Sequence, residues 1–226
     1  RRSSDLTRIN VKLKSGQETE INAPGPKVTH AQFEQLLSQI RRTTNDDIVI
    51  VAGSVPNSIP SDAYAQIAQI TEKTGAQLVV DAEKDLVETV LPYRPLFIKP
   101  NKDELEVMFN TTVKSDEDVI KYGKEILKKG AQSVIISLGG DGAIYVDQHQ
   151  SIKAVNPQGH VVNTVGSGDS TVAGMVAGLS MGLNIDEAFQ QAVASGTATA
   201  FSEDLATRDA IENIKSQVTI SVLDGE

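Results

Sequence analysis

Between residues 7 and 13 apolar and polar side chains alternate, with Ile9, Val11 and Leu13 set against Arg8, Asn10 and Lys12. A period of two marks a half-buried strand. Residues 17–21 supply a second strand and Lys14-Ser15-Gly16 a turn, so the segment predicts a hairpin. A free two-stranded ribbon is marginal in water, so this one is expected to pack on the rest of the chain or on a second copy. After Pro24-Gly25-Pro26 the rhythm changes. Thr29 can cap a helix over 31–40, with Phe33, Leu36, Leu37 and Ile40 on one stripe. The apolar run 48–52 reads as a buried parallel strand. A helix follows at 63–74, with Ile67 and Ile70 inward, then a strand at 78–80 that ends at Asp81. Next come a short helix at 86–91, a strand at 96–99, a helix at 103–109 and a helix at 116–129 stopped by Gly130. Strands at 134–138 and 143–146 enclose a glycine-rich turn. Helices at 171–181, 187–201 and 209–215 and a strand at 218–222 complete the pattern.

Alternating strands and helices predict a mainly parallel sheet covered on both faces, a three-layer αβα domain, here over 27–226 with a small β lid at 1–26. In such sheets ligands bind beyond the C-terminal ends of the strands. Ser54, Asp81, Asn101, Gly139 and Asp169 all fall in or next to loops after predicted strands, so topology alone gathers them on one rim.

Composition narrows the function. The 226 residues suit one domain with a small appendage, and 39% hydrophobic content supports an ordinary core. A net charge of −9 argues against nucleic acid, which needs a basic face. No apolar run reaches membrane-spanning length and no signal peptide is seen. There is no cysteine, which excludes disulfides and thiolate zinc sites and agrees with a cytoplasmic location. His30, His149 and His160 show no metal-ligand spacing and read as surface residues.

The chemistry concentrates in Asn163-Thr164-Val165-Gly166-Ser167-Gly168-Asp169-Ser170, which leads from a strand-like run into a helix of small residues. Free N–H groups and the positive dipole end at a helix start attract an anion, and Gly166, Ser167 and Gly168 let the backbone approach it. Asp169 beside that anion could take a proton from an attacking hydroxyl, as phosphoryl transfer to an alcohol requires. Read blandly, Asp169 only caps the helix. No Lys follows the last glycine, which excludes a Walker A loop, and Thr171 replaces the third glycine of a dinucleotide fingerprint. Asn101 and Glu104 lie three apart at a helix start; spacing alone favours a capping pair. Lys99 lies beside them, but Pro100 leaves its direction open, and it stays outside the catalytic set.

In colinear order these segments resemble the ribokinase-like, phosphofructokinase B family of carbohydrate kinases. Residues 163–169 are similar to its C-terminal signature, Lys99-Pro100-Asn101-Lys102-Asp103-Glu104-Leu105 to its Asn-x-x-Glu motif, and Ser137-Leu138-Gly139-Gly140-Asp141-Gly142-Ala143 to its nucleotide turn. Ala52-Gly53-Ser54-Val55-Pro56 resembles its sugar loop, and residues 7–12 with 21–26 its lid. The resemblance implies ATP and Mg²⁺ as reaction partners and Asp169 as base, with Gly166, Ser167 and Gly168 as the anion cradle. It places Asn101, Ser137, Gly139, Gly140, Gly142, Gly168 and Ser195 at the nucleotide, Ser54, Arg8 and Asp169 at the sugar, and Glu104 on Mg²⁺ through water. Arg8 would grip a phosphate already on the substrate, a task suited to guanidinium.

Within the family the motifs lie nearest the branch acting on fructose 1-phosphate or tagatose 6-phosphate. The expectation is conversion of fructose 1-phosphate to fructose 1,6-bisphosphate, with tagatose 6-phosphate as the alternative substrate. A non-catalytic nucleotide- or phosphosugar-binding module is the reading from another class. Lids in this family often pair across a two-fold axis, which implies a homodimer. Family members begin well before Arg1, so the N-terminal part of the fold is expected to be missing. Ser202-Glu203-Asp204 departs from the pattern of relatives that bind a monovalent cation, and that ion is not expected.

Overall fold

A computed structural model describes residues 10–15, 17–22 and 27–225. Strands β1 (Asn10–Ser15) and β2 (Gln17–Asn22) form an antiparallel hairpin. Ser15 pairs with Gln17, so Lys14 and Ser15 are strand residues and not, as their composition suggested, part of a three-residue turn. Thr7, Arg8 and Ile9 lie outside the described residues.

A seven-stranded sheet carries the rest. It is ordered β3 (Ile48–Ala52), β4 (Gln77–Asp81), β5 (Phe97–Ile98), β6 (Val134–Ser137), β7 (Ala143–Val146), β8 (Gln150–Val155) and β9 (Thr219–Gly225). The pairings β3–β4, β4–β5 and β5–β6 are parallel. Those of β6–β7, β7–β8 and β8–β9 are antiparallel, so five of the seven strands run the same way. This is the expected three-layer, mainly parallel α/β architecture. Strand β8 was not foreseen. It follows a turn in which Asp147 accepts from the His149 and Gln150 N–H groups.

Side chains on successive strand residues point to opposite faces, and two cores result. Leu78, Val80, Ile98, Val134, Ile136, Ile144 and Val146 face one core. There they meet Phe33 and Leu37 of α1 (His30–Ile40), Ile67 of α2 (Ala63–Thr74), Val87 of α3 (Lys84–Val90), Leu105 of α4 (Lys102–Phe109) and Ile126 of α5 (Asp116–Lys129). Val79, Phe97, Ile135, Tyr145 and Ile152 face the other. They meet Val172 and Met175 of α6 (Ser167–Ser180) and Phe189 of α7 (Ile185–Ala200), with Ile211 and Ile214 of α8 (Arg208–Lys215) at the margin. Strand β3 departs from its reading as a buried strand: among the described residues it is a sheet edge, and Ile50 is 44% exposed.

The helix starts follow sequence chemistry. Thr29 and Gln32 form a capping box on α1, and Ser115, Asn184 and Thr207 cap α5, α7 and α8. Such caps stabilise by about 1 kcal/mol each. Helix α6 is different. It begins at Ser167, four residues before the predicted start, and its N-cap is Gly166 with φ +80°, a left-handed conformation that favours glycine. No helix among the described residues is long and apolar enough to cross a membrane.

Candidate active site

The segments that follow β5, β6 and β8, with the start of α6 and one face of α7, frame a cavity of about 530 Å³, within the range of small-molecule sites. Its wall on the sheet side is Lys99, Asn101, Ser137, Gly139, Gly140 and Gly142. Its helix side is Ser167, Gly168 and Thr171 of α6 with Val193, Gly196 and Thr197 of α7.

Glycine at the α6 N-cap has a chemical consequence. The first intrahelical bond runs from Ser170 N–H to Gly166 C=O at 2.8 Å, and Ser167 N–H is turned to Thr164 C=O at 3.2 Å. No side chain caps the helix. The N–H groups of Gly168 and Asp169 are left with no partner among the described residues. The buried Ser167 hydroxyl also lacks one. An orphaned set of donors at a positive helix end, beside the cavity, is what an anion would satisfy. Asp169 is the third residue of α6 and exposed, with no hydrogen bond or ion pair among the described residues. It is therefore not the N-cap.

Asn101 and Glu104 do form the capping pair. Asn101 Oδ1 accepts from Glu104 N–H, and Glu104 Oε2 accepts from Asn101 N–H, both at 2.8 Å. This fixes both side chains. Asn101 is held on the cavity wall, also bridged to Ser137 in parallel register. Glu104 keeps its second oxygen. Among the described residues there is no group of three or more metal-ligating side chains. A hard cation carried in on phosphates needs only one or two carboxylates, often through water, and Glu104 fits that limited role.

The turn after β6 is shaped by bare backbone. Gly139 has φ +60° and Gly142 φ +95°. A Cβ on Gly142 would run into the Ala154 carbonyl of β8, so the turn can lie flat only with glycine there. Asn156, at the end of β8, donates its amide to the Gly139 carbonyl at 3.0 Å and accepts from the Thr197 hydroxyl at 2.8 Å. Asn156 was absent from the sequence-derived set, because the strand that delivers it was itself unseen. Ser195 was expected at the nucleotide but does not line the cavity. Its hydroxyl donates to Gln191 C=O at 2.8 Å and it faces Gly174 of α6, while Gly196 and Thr197 take the cavity side.

Next to the cavity lies a second polar cluster. Lys99 is 7% exposed and ion-paired with Asp81 at 3.3 Å. Asp81 C=O accepts from Gly53 N–H at 2.9 Å, and the Tyr64 hydroxyl donates to Gly53 C=O at 2.8 Å. Burial pushes the Asp81 carboxyl above the usual range; Lys99 opposes this, while Glu104 and Asp169 add to it. The Tyr64 hydroxyl is raised to about 12, by burial and then by Asp81. Ser54 is exposed on the neighbouring loop and does not line the cavity. Arg8 lies outside the described residues.

Comparison with known proteins adds the context. Residues 2–210 match the pfkB family of carbohydrate kinases. The chain is 42% identical over 217 residues to a 1-phosphofructokinase of Bacillus subtilis, covering 96% of this chain and 72% of the relative. It is 34% identical to a D-tagatose-1-phosphate kinase of Bacillus licheniformis over the same shares of both chains. The fold superposes on the crystal structure of a candidate phosphofructokinase from Staphylococcus aureus with a TM-score of 0.88 and 82% identity, over 96% of this chain and 71% of that one.

Proposed function

The chain belongs to the pfkB family of carbohydrate kinases and is a phosphotransferase acting on a sugar hydroxyl; on that premise we propose that it transfers the γ-phosphoryl group of ATP to fructose 1-phosphate, giving fructose 1,6-bisphosphate and ADP. The observation that carries this reading is the start of α6, where the unpaired N–H groups of Gly168 and Asp169 adjoin the Asp169 carboxylate and the cavity. The substrate follows the 1-phosphofructokinase relative.

The nucleotide lies along Gly139, Gly140 and Gly142 with its polyphosphate toward Asn101 and the α6 cradle. Glycine lets the backbone pass close to it. The sugar occupies the rim near Ser54, with Asp169 within reach of its free hydroxyl. Asp169 accepts that proton as the oxygen bonds to phosphorus, and the α6 amides receive charge on the phosphoryl oxygens. Mg²⁺, when bound, neutralises polyphosphate charge; Glu104 would hold it through water. Arg8 grips the phosphate that the sugar already carries, in a lid formed by residues 1–26 over the domain 27–226. The alternation of Ile9, Val11 and Leu13 supports pairing of that lid with a second copy in a homodimer.

The test is ADP release with no sugar and with fructose 1-phosphate, tagatose 6-phosphate or tagatose 1-phosphate. The highest kcat/KM is expected for fructose 1-phosphate. A preference for a tagatose phosphate would reassign the substrate, and ADP release indifferent to any sugar would overturn the reading. In the same assay Arg8→Ala should raise KM for the sugar phosphate far more than for ATP; equal effects would return Arg8 to a solvated role.

A further inference from the structure

Tyr64 does two things that can be separated. Its ring is 7% exposed and belongs to the core that holds Ile67 and Leu78, where Phe would fill the same space. Its hydroxyl reaches out of that core and donates to the Gly53 carbonyl at 2.8 Å, eleven positions back along the chain. The bond closes the neck of the loop 53–62, which runs from the end of β3 to the start of α2. Inside the loop, Val55 and Ile59 rest partly buried on the same core, and Ile59 N–H donates to Pro56 C=O at 3.1 Å.

The hydroxyl acts on one peptide plane. Gly53 C=O belongs to the plane that joins Gly53 to Ser54, and no peptide bond among the described residues is cis. In a trans plane the C=O and N–H point opposite ways, so a carbonyl held on Tyr64 directs Ser54 N–H away from Tyr64. The preceding plane is held too, because Gly53 N–H donates to Asp81 C=O at 2.9 Å. Between the two planes Gly53 sits at φ +81°, which glycine tolerates. Asp81 is ion-paired with Lys99 of the cavity wall, so the held segment borders the cavity. Stability does not account for the hydroxyl. Gly53 is exposed, and water can meet its carbonyl where Tyr64 lacks an oxygen. Burial and then Asp81 push the hydroxyl up to about 12, so it keeps its proton and stays a donor.

We propose that Tyr64 is a positioning residue for the sugar phosphate: its hydroxyl sets the Gly53–Ser54 peptide, and through it the rim loop that receives the sugar, without touching the substrate itself. This rests on the kinase reading above, which puts the sugar near Ser54. None of residues 53–62 lines the cavity assigned to the nucleotide, so the effect of Tyr64 is confined to one of the two substrates.

The experiment compares the wild type with Tyr64→Phe, Gly53→Ala and the double variant. It reads Tm, kcat/KM for fructose 1-phosphate and KM for ATP by ADP release, and amide hydrogen exchange at Gly53 and Ile59. Tyr64→Phe should fold, with a Tm within about 4 °C of the wild type. Its kcat/KM for fructose 1-phosphate should fall about 5-fold or more, the scale of one uncharged hydrogen bond, with KM for ATP unchanged. Exchange at Gly53 and Ile59 should quicken by a similar factor. Gly53→Ala has open space for its Cβ, with nothing within 4 Å, so it acts through φ alone. It should lower kcat/KM for the sugar phosphate in the same way, and the double variant should lose less than the product of the two, because both release one peptide. A lower Tm with unchanged kcat/KM for fructose 1-phosphate, or equal effects on both substrates, would overturn the proposal and leave the hydroxyl a structural group. Fully multiplicative losses would overturn it as well. Wild-type protein without sugar-dependent turnover would sink the kinase reading by itself. Unaltered exchange at Gly53 and Ile59 in Tyr64→Phe would sink the role of Tyr64 whatever the turnover.

Discussion

Replacing Asp169 with Asn separates the structural from the chemical role of that residue. In the structure Asp169 is exposed, third in α6, and makes no hydrogen bond or ion pair among the described residues. Its structural contribution is electrostatic: a negative charge near a helix N-terminus, worth about 0.3–1 kcal/mol, offset by its repulsion of Asp81. For a chain of this size that corresponds to a Tm decrease of no more than about 4 °C. The chemical effect should be far larger. A general base contributes about 10²–10⁴-fold, and 10²-fold is about 2.7 kcal/mol of barrier. Asp169→Asn should therefore fold, bind ATP with wild-type affinity by calorimetry, and turn over at least about 10²-fold more slowly at saturating ATP and sugar phosphate. Asp169→Ala should be no less stable than Asp169→Asn, since no capping bond is lost. A kcat within about 10-fold of wild type would remove Asp169 from the mechanism. A Tm loss of more than about 8 °C would show a structural role beyond that of an unpaired, exposed carboxylate.

Glu104→Gln keeps an oxygen for the Asn101 N–H but loses the charge; it should raise the Mg²⁺ concentration for half-maximal rate, and a fall in Tm at unchanged Mg²⁺ dependence would leave Glu104 a cap alone. Gly142→Ala forces a φ of +95° on a residue with a Cβ and drives that atom into the Ala154 carbonyl; a loss of about 2 kcal/mol or more, or about 4–8 °C in Tm, is expected with a raised KM for ATP, and a neutral result would show that the backbone where β7 meets β8 yields easily. Light scattering at micromolar concentration should give a dimer mass, reduced by Val11→Asp; a monomer mass for the unaltered protein would contradict pairing through the hairpin.

What the sequence disclosed and what it hid divide by the range of the interaction. Helix α5 was legible to its ends, Asp116 and Lys129, because Ser115, the acidic first turn and Gly130 are local signals. The start of α6 was misplaced by four residues because Ser167-Gly168-Asp169 has loop composition, although glycine is tolerated where helix donors are unpaired. Strand β8 was missed because its pattern is blurred by buried Ser151, where a register shift also falls. The motif residues Asn101, Gly139, Gly140, Gly142, Ser167 and Gly168 do converge on one cavity. Lys99 could not be oriented, since its direction is set by Asp81, eighteen positions away and on another strand. Ser195 falls off the cavity wall by helical phase: one position further along α7 lines the cavity, and Ser195 faces α6.

Asn156 ties the glycine turn to helix α7 with a single carboxamide, donating to one and accepting from the other. No other side chain of that length does both: Asp cannot donate, and Leu can do neither. The two walls of the cavity are therefore not free to drift apart in sequence. A change at Thr197 that removes the hydroxyl strands the Asn156 oxygen, and a change at Asn156 unpins carbonyls more than fifteen residues away. Heritable variation at these positions should come in matched sets, with single steps disfavoured and pairs tolerated. A library that randomises the turn alone would sample mostly dead ends, while one that randomises positions 156 and 197 together would reach altered nucleotide preference by a route natural drift seldom takes.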